Sequence, residues 1–372
     1  MSKIYDPERT IEFEFVRATE NAALNAMHWI GRGEKELADA AACDAIYGVF
    51  DLVDIRGEVV IGEGIKDNAP GIFLGDRLGT WKVGSPRFDI ALDPVDGTTN
   101  ISKGMANSIS VMAAVEVPTG KSVMKNLPAF YTHKLSYGPK IDQAVRAAGL
   151  ERMLIDKPMR EILELASKAL GKRIPEIVVL ILDRPRNKTF IDGVREAGAS
   201  LRMVSDGDIT AAVAPSLPDS GIDLYVGIGG TPEGILTANA LRALGGDIQL
   251  RMWFKDDTSK DSELAGSDFP TADLDRVFNA EEIVPGDSAV FCATGITDSA
   301  LLPGVKLIGR TAITHSILMR ARSKTVRYIR AVHDLDHKTI HLRGASADKK
   351  SNPLLNKKPA IPKNKTHQTT PP

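Results

Sequence analysis

"RFDIALDPVDGTTN", residues 87–100, decides how the chain is read. A short apolar run ends in two carboxylates, Asp93 and Asp96, and Gly97, Thr98, Thr99 and Asn100 follow at once. An apolar run of this length, closed by proline and glycine, predicts a buried strand that stops at a turn. The pattern recurs in "GEVVIGEG" (57–64), "IVVLILDRPR" (177–186), "LRMVSDGD" (201–208) and "DLYVGIGGTPEG" (223–234). Helical segments alternate with these runs at about 141–149, 158–170, 188–197 and 232–244. That alternation predicts an α/β fold of layered helices and sheets.

Upstream, residues 6–31 read as a helix, with Asp6 as its cap, Pro7 in its first turn, and Ile11, Phe15, Ala22, Ala26 and Ile30 at helical spacing. A second helix is expected from Glu34 to Leu52, with Leu37, Ala41, Ala45, Gly48 and Leu52 on one stripe and Lys35, Asp39 and Cys43 on another face.

The 372 residues are 43% hydrophobic and 26% charged, with a net charge of -1, as in an ordinary globular protein without a broad field for nucleic acid or membrane. Only Cys43 and Cys292 carry thiols, so neither a disulfide framework nor a zinc knuckle is expected. The charged N-terminus lacks a signal-peptide core, and a reduced, cytoplasmic protein is the expectation. A break near 150–175 suggests an N-terminal metal- and phosphate-binding unit, 1–160, and a C-terminal substrate unit, 161–340. Residues 345–372, rich in Lys, Pro, Asn and Thr, are expected to form a disordered tail.

Asp39, Glu63, Asp93, Asp96 and Glu233 share a second pattern. Asp39 lies on a polar helix face, and the other four stand at strand ends or just inside a helix start, where ligands bind in layered α/β folds. Three have an ordinary alternative, Asp96-Gly97 as a turn pair, Glu233 as a helix-start acid and Asp39 as a solvated residue paired with Lys35, whereas Glu63 between two glycines is harder to explain in that way. Taken together they repel, since two unit charges ~4 Å apart cost roughly 4 kcal/mol at an effective dielectric of about 20. Protons or a cation must neutralise them, and oxygen donors without His or Cys favour Mg²⁺ or Mn²⁺ over zinc. "GTTN" adds backbone N–H groups and hydroxyls suited to a phosphoryl group held by such cations. Thr98 is placed to orient a water if its hydroxyl passes a hydrogen bond to a carboxylate such as Asp39.

"DPVDGTTN" resembles the metal-binding signature of the lithium-sensitive, magnesium-dependent phosphomonoesterases, which include inositol monophosphatases and fructose bisphosphatases. With "GRGEKELADAAACDA" (31–45), "VVIGEGIKDNAPGIFLGD" (59–76), "PAFYTHKL" (128–135), "DRPRNKTFI" (183–191), "VSDGDI" (204–209), "GIGGTPEG" (227–234) and "FCATGIT" (291–297), the chain is similar over about 11–335 to class II (GlpX-type) fructose-1,6-bisphosphatases. The resemblance implies the sugar-phosphatase fold, alternating α-β-α-β-α layers built from two sub-domains. It implies Asp39, Glu63, Asp93, Asp96 and Glu233 as metal ligands, and Thr98 and Asp39, with Lys35, as the catalytic group. Gly97, Thr98 and Thr99 would touch the reacting phosphate, while Tyr131, Arg184, Arg186, Lys188, Asp206, Gly207, Asp208 and Gly230 would hold the sugar and its second phosphate. It further implies a cytoplasmic homodimer or homotetramer acting on a sugar bisphosphate in gluconeogenesis or the Calvin cycle, with sedoheptulose 1,7-bisphosphate as a further substrate in the latter. The family usually carries Glu where Asp96 stands, and an acid where Ile65 stands before Lys66.

Three rival readings stand beside this one. An inositol monophosphatase would share the metal site, but it carries a Trp-Asp signature where this chain has "GIGGTPEG". "VSDGDIT" matches the spelling of haloacid-dehalogenase-like phosphatases, with Asp206 as nucleophile, and leaves the other acids without a purpose. A non-catalytic sugar-phosphate sensor would lack the water-activating pair, and Thr98 and Asp39 are both present.

Overall fold

The computed structural model describes residues 6–62, 71–118 and 120–343. Glu63, Ile65, Lys66 and the expected tail at 345–372 lie outside the described residues. The first four strands are β1 (Arg56–Ile61), β2 (Arg77–Leu78), β3 (Arg87–Asp96) and β4 (Ile109–Glu116). The next five are β5 (Tyr131–Tyr137), β6 (Val178–Leu182), β7 (Ser200–Val204), β8 (Leu224–Gly230) and β9 (Asp247–Trp253). The last four are β10 (Ala289–Gly295), β11 (Lys306–Ile308), β12 (Thr311–Arg320) and β13 (Thr325–Asp334). Helices α1 (Glu8–Ala26), α2 (Lys35–Phe50), α3 (Thr98–Lys103), α4 (Pro139–Ala147), α5 (Met159–Leu170), α6 (Lys188–Ala197), α7 (Asp208–Val213), α8 (Thr231–Leu244), α9 (Asp257–Leu264) and α10 (Ala280–Ile283) join them.

The strands form two mixed sheets, one of order β11-β12-β10-β4-β3-β1-β2 with β13 also paired to β12, and one of order β7-β6-β8-β5-β9. Sheet membership therefore runs differently from a 1–160/161–340 partition. β5 already belongs to the second sheet, and the chain returns to the first at β10. The first sheet is completed by antiparallel pairing of β10 with β4, from Ala289↔Val115 to Gly295↔Ile109.

Alternation along β3 explains the layering. Phe88, Ile90 and Leu92 pack with Ile11, Phe15 and Ile46 of α1 and α2, while Ala91 faces the opposite core. That second core gathers Ile235, Leu236 and Leu241 of α8 with Val111 and Phe291 of the first sheet and Ile248 and Leu250 of the second. A third core sets Leu135, Val179 and Val226 against Ile141, Ile162 and Val194 of α4, α5 and α6. The result is an α-β-α-β-α stack in which the central strands of each sheet, such as β4, β8 and β10, are covered on both faces and read as near-continuous apolar runs.

Two local expectations are corrected. Asp6 does not cap α1 with its side chain; the capping position is Pro7, and the Asp6 carboxylate instead pairs with Arg320 at 2.9 Å. On α2 the buried face is Ala38, Ala42, Ala45, Ile46, Val49 and Phe50, while Leu37 and Leu52 are exposed. Ala45 and Gly48 of the expected stripe are buried, and Gly48 sits against the backbone of His341: a Cβ there would lie 1.8 Å from the His341 carbonyl oxygen. Cys43 and Cys292 are buried and form no disulfide. Among the described residues no helix is long and apolar enough to cross a membrane.

Candidate active site

The paired acids owe their placement to an irregularity in β3. Asp93 pairs with Val111 and Asp96 with Ile109, so Pro94 and Val95 on one strand oppose Ser110 alone on the other. The extra residue forms a bulge, which re-aims side chains and tolerates Pro94, a residue that cannot join a regular ladder. Without it, residues three apart would point to opposite faces. With it, Asp96 is carried toward the second sheet, where its Oδ2 accepts from the Ile209 backbone N–H at 3.2 Å.

Two glycine turns meet at one asparagine. Gly97 (φ 91°) starts α3 and Gly207 (φ 87°) starts α7, both in the left-handed region. A Cβ on Gly97 would stand 2.5 Å from the Asn107 carbonyl oxygen, and one on Gly207 would stand 2.2 Å from Asn107 Nδ2. Asn107 donates Nδ2 to the carbonyl oxygens of Asp206 (2.6 Å) and Gly207 (3.2 Å), and its Oδ1 accepts from Thr210 at 2.5 Å. The "DPVDGTTN" and "VSDGDI" turns are thereby locked together across the two sheets. The Thr99 backbone N–H donates to Asp206 Oδ2 at 3.2 Å, and the other Asp206 oxygen lies 3.5 Å from Arg184.

Asp208 sits deeper. Lys134 Nζ reaches its Oδ2 at 2.6 Å and the Tyr225 hydroxyl donates to its Oδ1. Lys134 and Tyr225 are both fully buried. Asp208, expected to touch the sugar directly, thus has both carboxylate oxygens engaged within the protein.

The glycines of "GIGG" admit the acids. A Cβ on Gly229 would meet Asp208 Oδ2 at 1.9 Å, and one on Gly230 would meet Glu233 Oε2 at the same distance. Glu233 lies in the first turn of α8, where the helix dipole favours a negative charge. On the neighbouring flank the Arg186 guanidinium lies 4.5 Å from the centre of the Tyr131 ring and donates through Nε to the Ile228 carbonyl at 2.9 Å. Buried Asn187 fixes this corner by donating to Leu182 O (2.9 Å) and accepting from Ile228 N (2.7 Å).

Electrostatics record the crowding. Burial, then the charges of Asp93, Glu233, Asp206 and Asp208, push the Asp96 carboxyl well above its ordinary range. Burial also raises Glu233, against the lowering influence of Lys134. Glu233 Oε2 is a buried carboxylate oxygen without a hydrogen-bond partner among the described residues. An orphaned anionic oxygen amid further oxygen donors suits a hard divalent cation. Among the described residues no three His, Cys, Asp or Glu side chains form a complete cation-binding group.

The structure thus brings Asp93, Asp96, Gly97, Thr99, Asp206, Gly207, Asp208, Gly230 and Glu233 to one place, with Tyr131, Arg184 and Arg186 on its flank. Thr98 begins α3, which packs on α2, the helix of half-buried Asp39. Lys35 and Lys188 are not drawn into that cluster: both are exposed and lie beside their own helix neighbours, Glu36 at 3.6 Å and Asp192. Asn107, Lys134, Asn187 and Tyr225 were missed by sequence reasoning. Only Lys134 left a signal, as a cation in an otherwise buried strand.

The chain matches the family described as bacterial fructose-1,6-bisphosphatase, glpX-encoded, over residues 9–333. It is 36% identical over 337 residues to the fructose-1,6-bisphosphatase class 2 of Haemophilus influenzae, covering 88% of this chain and 97% of that protein. It is 35% identical over 339 residues to fructose-1,6-bisphosphatase 1 class 2 of Escherichia coli K12, covering 89% and 97%. A site built from these strand ends, matched along nearly the whole length of such relatives, makes the chain a member of the glpX-encoded bacterial fructose-1,6-bisphosphatase family.

Proposed function

We propose that the protein hydrolyses fructose 1,6-bisphosphate to fructose 6-phosphate and phosphate, with Mg²⁺ or Mn²⁺ held by Asp93, Asp96 and Glu233, joined by Asp39 and Glu63. The observation that carries this reading is the burial of Asp96 among four further acids beside the orphaned Glu233 Oε2, in a chain of this family. When bound, the cation supplies Lewis-acid charge at the phosphoryl oxygens and lowers the pKa of the attacking water.

The chain's own groups do the rest. Thr98 Oγ1 holds the attacking water and passes its proton toward Asp39, with Lys35 at the start of the same helix. Gly97 and Thr99 line the reacting phosphate; the Thr99 N–H leaves Asp206 Oδ2 to reach a phosphate oxygen. Arg184 and Arg186 take the second phosphate, since guanidinium forks suit its paired oxygens, and Lys188 reaches it only by leaving Asp192. Tyr131 flanks the sugar, Asp206 and the Gly207 and Gly230 backbones meet its hydroxyls, and Asp208 orients that wall from behind. The placement in the lithium-sensitive phosphatase superfamily, a cytoplasmic location and a homodimeric or homotetrameric state belong to the same proposal.

A second substrate class is favoured by one residue: Asp96 is shorter than the usual Glu and gives the spelling of inositol monophosphatases. The test is phosphate release from fructose 1,6-bisphosphate, sedoheptulose 1,7-bisphosphate and inositol 1-phosphate, with Mg²⁺ or Mn²⁺ and with a chelator. Cation-dependent release, fastest from fructose 1,6-bisphosphate and suppressed by lithium, is expected. Cation-independent release, or none from any sugar bisphosphate, overturns the reading.

A further inference from the structure

A cavity of about 470 Å³ lies between β5, α5 and α6, apart from the acidic cluster. Its volume falls in the range of small-molecule sites. Leu135, Ile162 and Val226 form apolar walls. His133 lines it with only 9% of its surface exposed, and His133 Nε2 is buried without a hydrogen-bond partner among the described residues. The His133 ring stacks on Phe190 of α6 at 4.6 Å and 27°. A buried, unsatisfied ring nitrogen in an apolar cavity is costly unless a ligand or water completes it.

We propose that this cavity is an effector site for an uncharged or cationic ring compound, whose hydrogen-bonding group pairs with His133 Nε2 while the ring packs on the apolar walls. Charge argues for this class. The rim carries Asp192, which pairs with Lys188, and Glu196, against one lining cation, Lys157, which lies 3.8 Å from Glu161, so the surplus charge is the Glu196 carboxylate. An anionic ligand would meet net negative charge. The imidazole does not call for an anion either, because burial and the nearby Arg251 push it down to about 4, leaving it neutral at physiological pH.

The walls connect the cavity to the substrate flank. Tyr131 and His133 share one face of β5, two residues apart. Phe190 lies on α6, which begins two residues after Arg186. A ring wedged beside the His133–Phe190 stack displaces α6, and with it the Arg186 guanidinium that rests on Tyr131. This coupling rests on Arg186 binding the remote phosphate, as proposed above; the binding site itself does not.

The probes are benzamide, benzamidine and benzoate, one ring in neutral, cationic and anionic form. Binding to the full chain is read by ligand-observed NMR without substrate, so the result is independent of catalysis. Benzamide and benzamidine are expected to bind saturably, with benzoate about fivefold weaker or more. Thr189→Trp, at an exposed position lining the cavity, fills it and is expected to abolish binding while leaving melting temperature and kcat unchanged. Saturating benzamide is expected to change KM for fructose 1,6-bisphosphate about fivefold with kcat nearly constant. Absence of saturable binding, or binding that survives Thr189→Trp, overturns the site. Benzoate binding as well as benzamide overturns the ligand class, and an unchanged KM overturns the link to Arg186.

Discussion

Lys134, with no exposed surface, gives its ammonium to Asp208 Oδ2 at 2.6 Å, on the side of β5 that faces α8. Removing one member of a buried ion pair strands the other charge without water. Lys134→Met is therefore expected to destabilise the fold by about 3–5 kcal/mol, read by urea denaturation. Tyr225→Phe keeps the ion pair and loses one hydrogen bond, so its cost is about 1–3 kcal/mol. Equal losses would show that the pair is not what holds Asp208.

Asn107 ties the reacting-phosphate turn to the substrate turn. Asn107→Ala deletes three side-chain hydrogen bonds at a residue whose φ of 81° is costly for alanine. Expected are a stability loss of about 2–3 kcal/mol and a fall in kcat of about tenfold or more, because small misplacements of reacting groups are expensive. Full turnover in a folded Asn107→Ala protein would free α3 from any dependence on this tie.

Asp96 is buried among like charges. In chelator, Asp96→Asn is expected to raise the melting temperature, since it removes an ionisable group that the fold disfavours as an anion. Turnover with Mg²⁺ is expected to fall at least about a hundredfold. Stabilisation with loss of activity marks a site kept strained for function. A destabilised variant would argue that the carboxylate serves the fold.

His133 predicts an acid limit on stability. Its folded value of about 4 lies below the ordinary 6.5, so the unfolded chain binds its proton first. Stability is complete above about 6.5, falls as pH drops toward about 4, and the loss approaches 3 kcal/mol. Asp247, held up at about 6 by burial, works oppositely: its ionisation lowers stability as pH rises from about 4 to 6. Denaturation of His133→Phe across this range is expected to show a shallower decline than the parent; parallel curves would remove His133 from the account.

Arg186 reads as a binding residue held off the reacting phosphate. Arg186→Ala is expected to raise KM for fructose 1,6-bisphosphate about tenfold or more with a smaller effect on kcat. Steady-state kinetics at saturating Mg²⁺ decide it, and an unchanged KM would remove Arg186 from the substrate flank.

Local pattern made the helices legible: those expected at 158–170, 188–197 and 232–244 stand at Met159–Leu170, Lys188–Ala197 and Thr231–Leu244. Periodicity and capping act within a few residues, so short windows carry them. The ends of the α2 stripe, Leu37 and Leu52, were misjudged because a run rich in alanine leaves a broad apolar face whose edges periodicity does not define. The acids were legible as strand-end residues, and Pro94 inside an apolar run was a usable sign of the bulge. Asn107 and Tyr225 were not legible. Their partners lie 99 and 17 residues away, and nothing in their immediate neighbours distinguishes them from loop and core positions.

The return of β10 to pair with β4 has a consequence for synthesis on the ribosome. Until residue 295 has emerged, β4 shows the open backbone of Ile109–Glu116, an apolar edge able to stick to other nascent chains. β3 already covers its other edge, so the exposure is one-sided and ends when β10 docks.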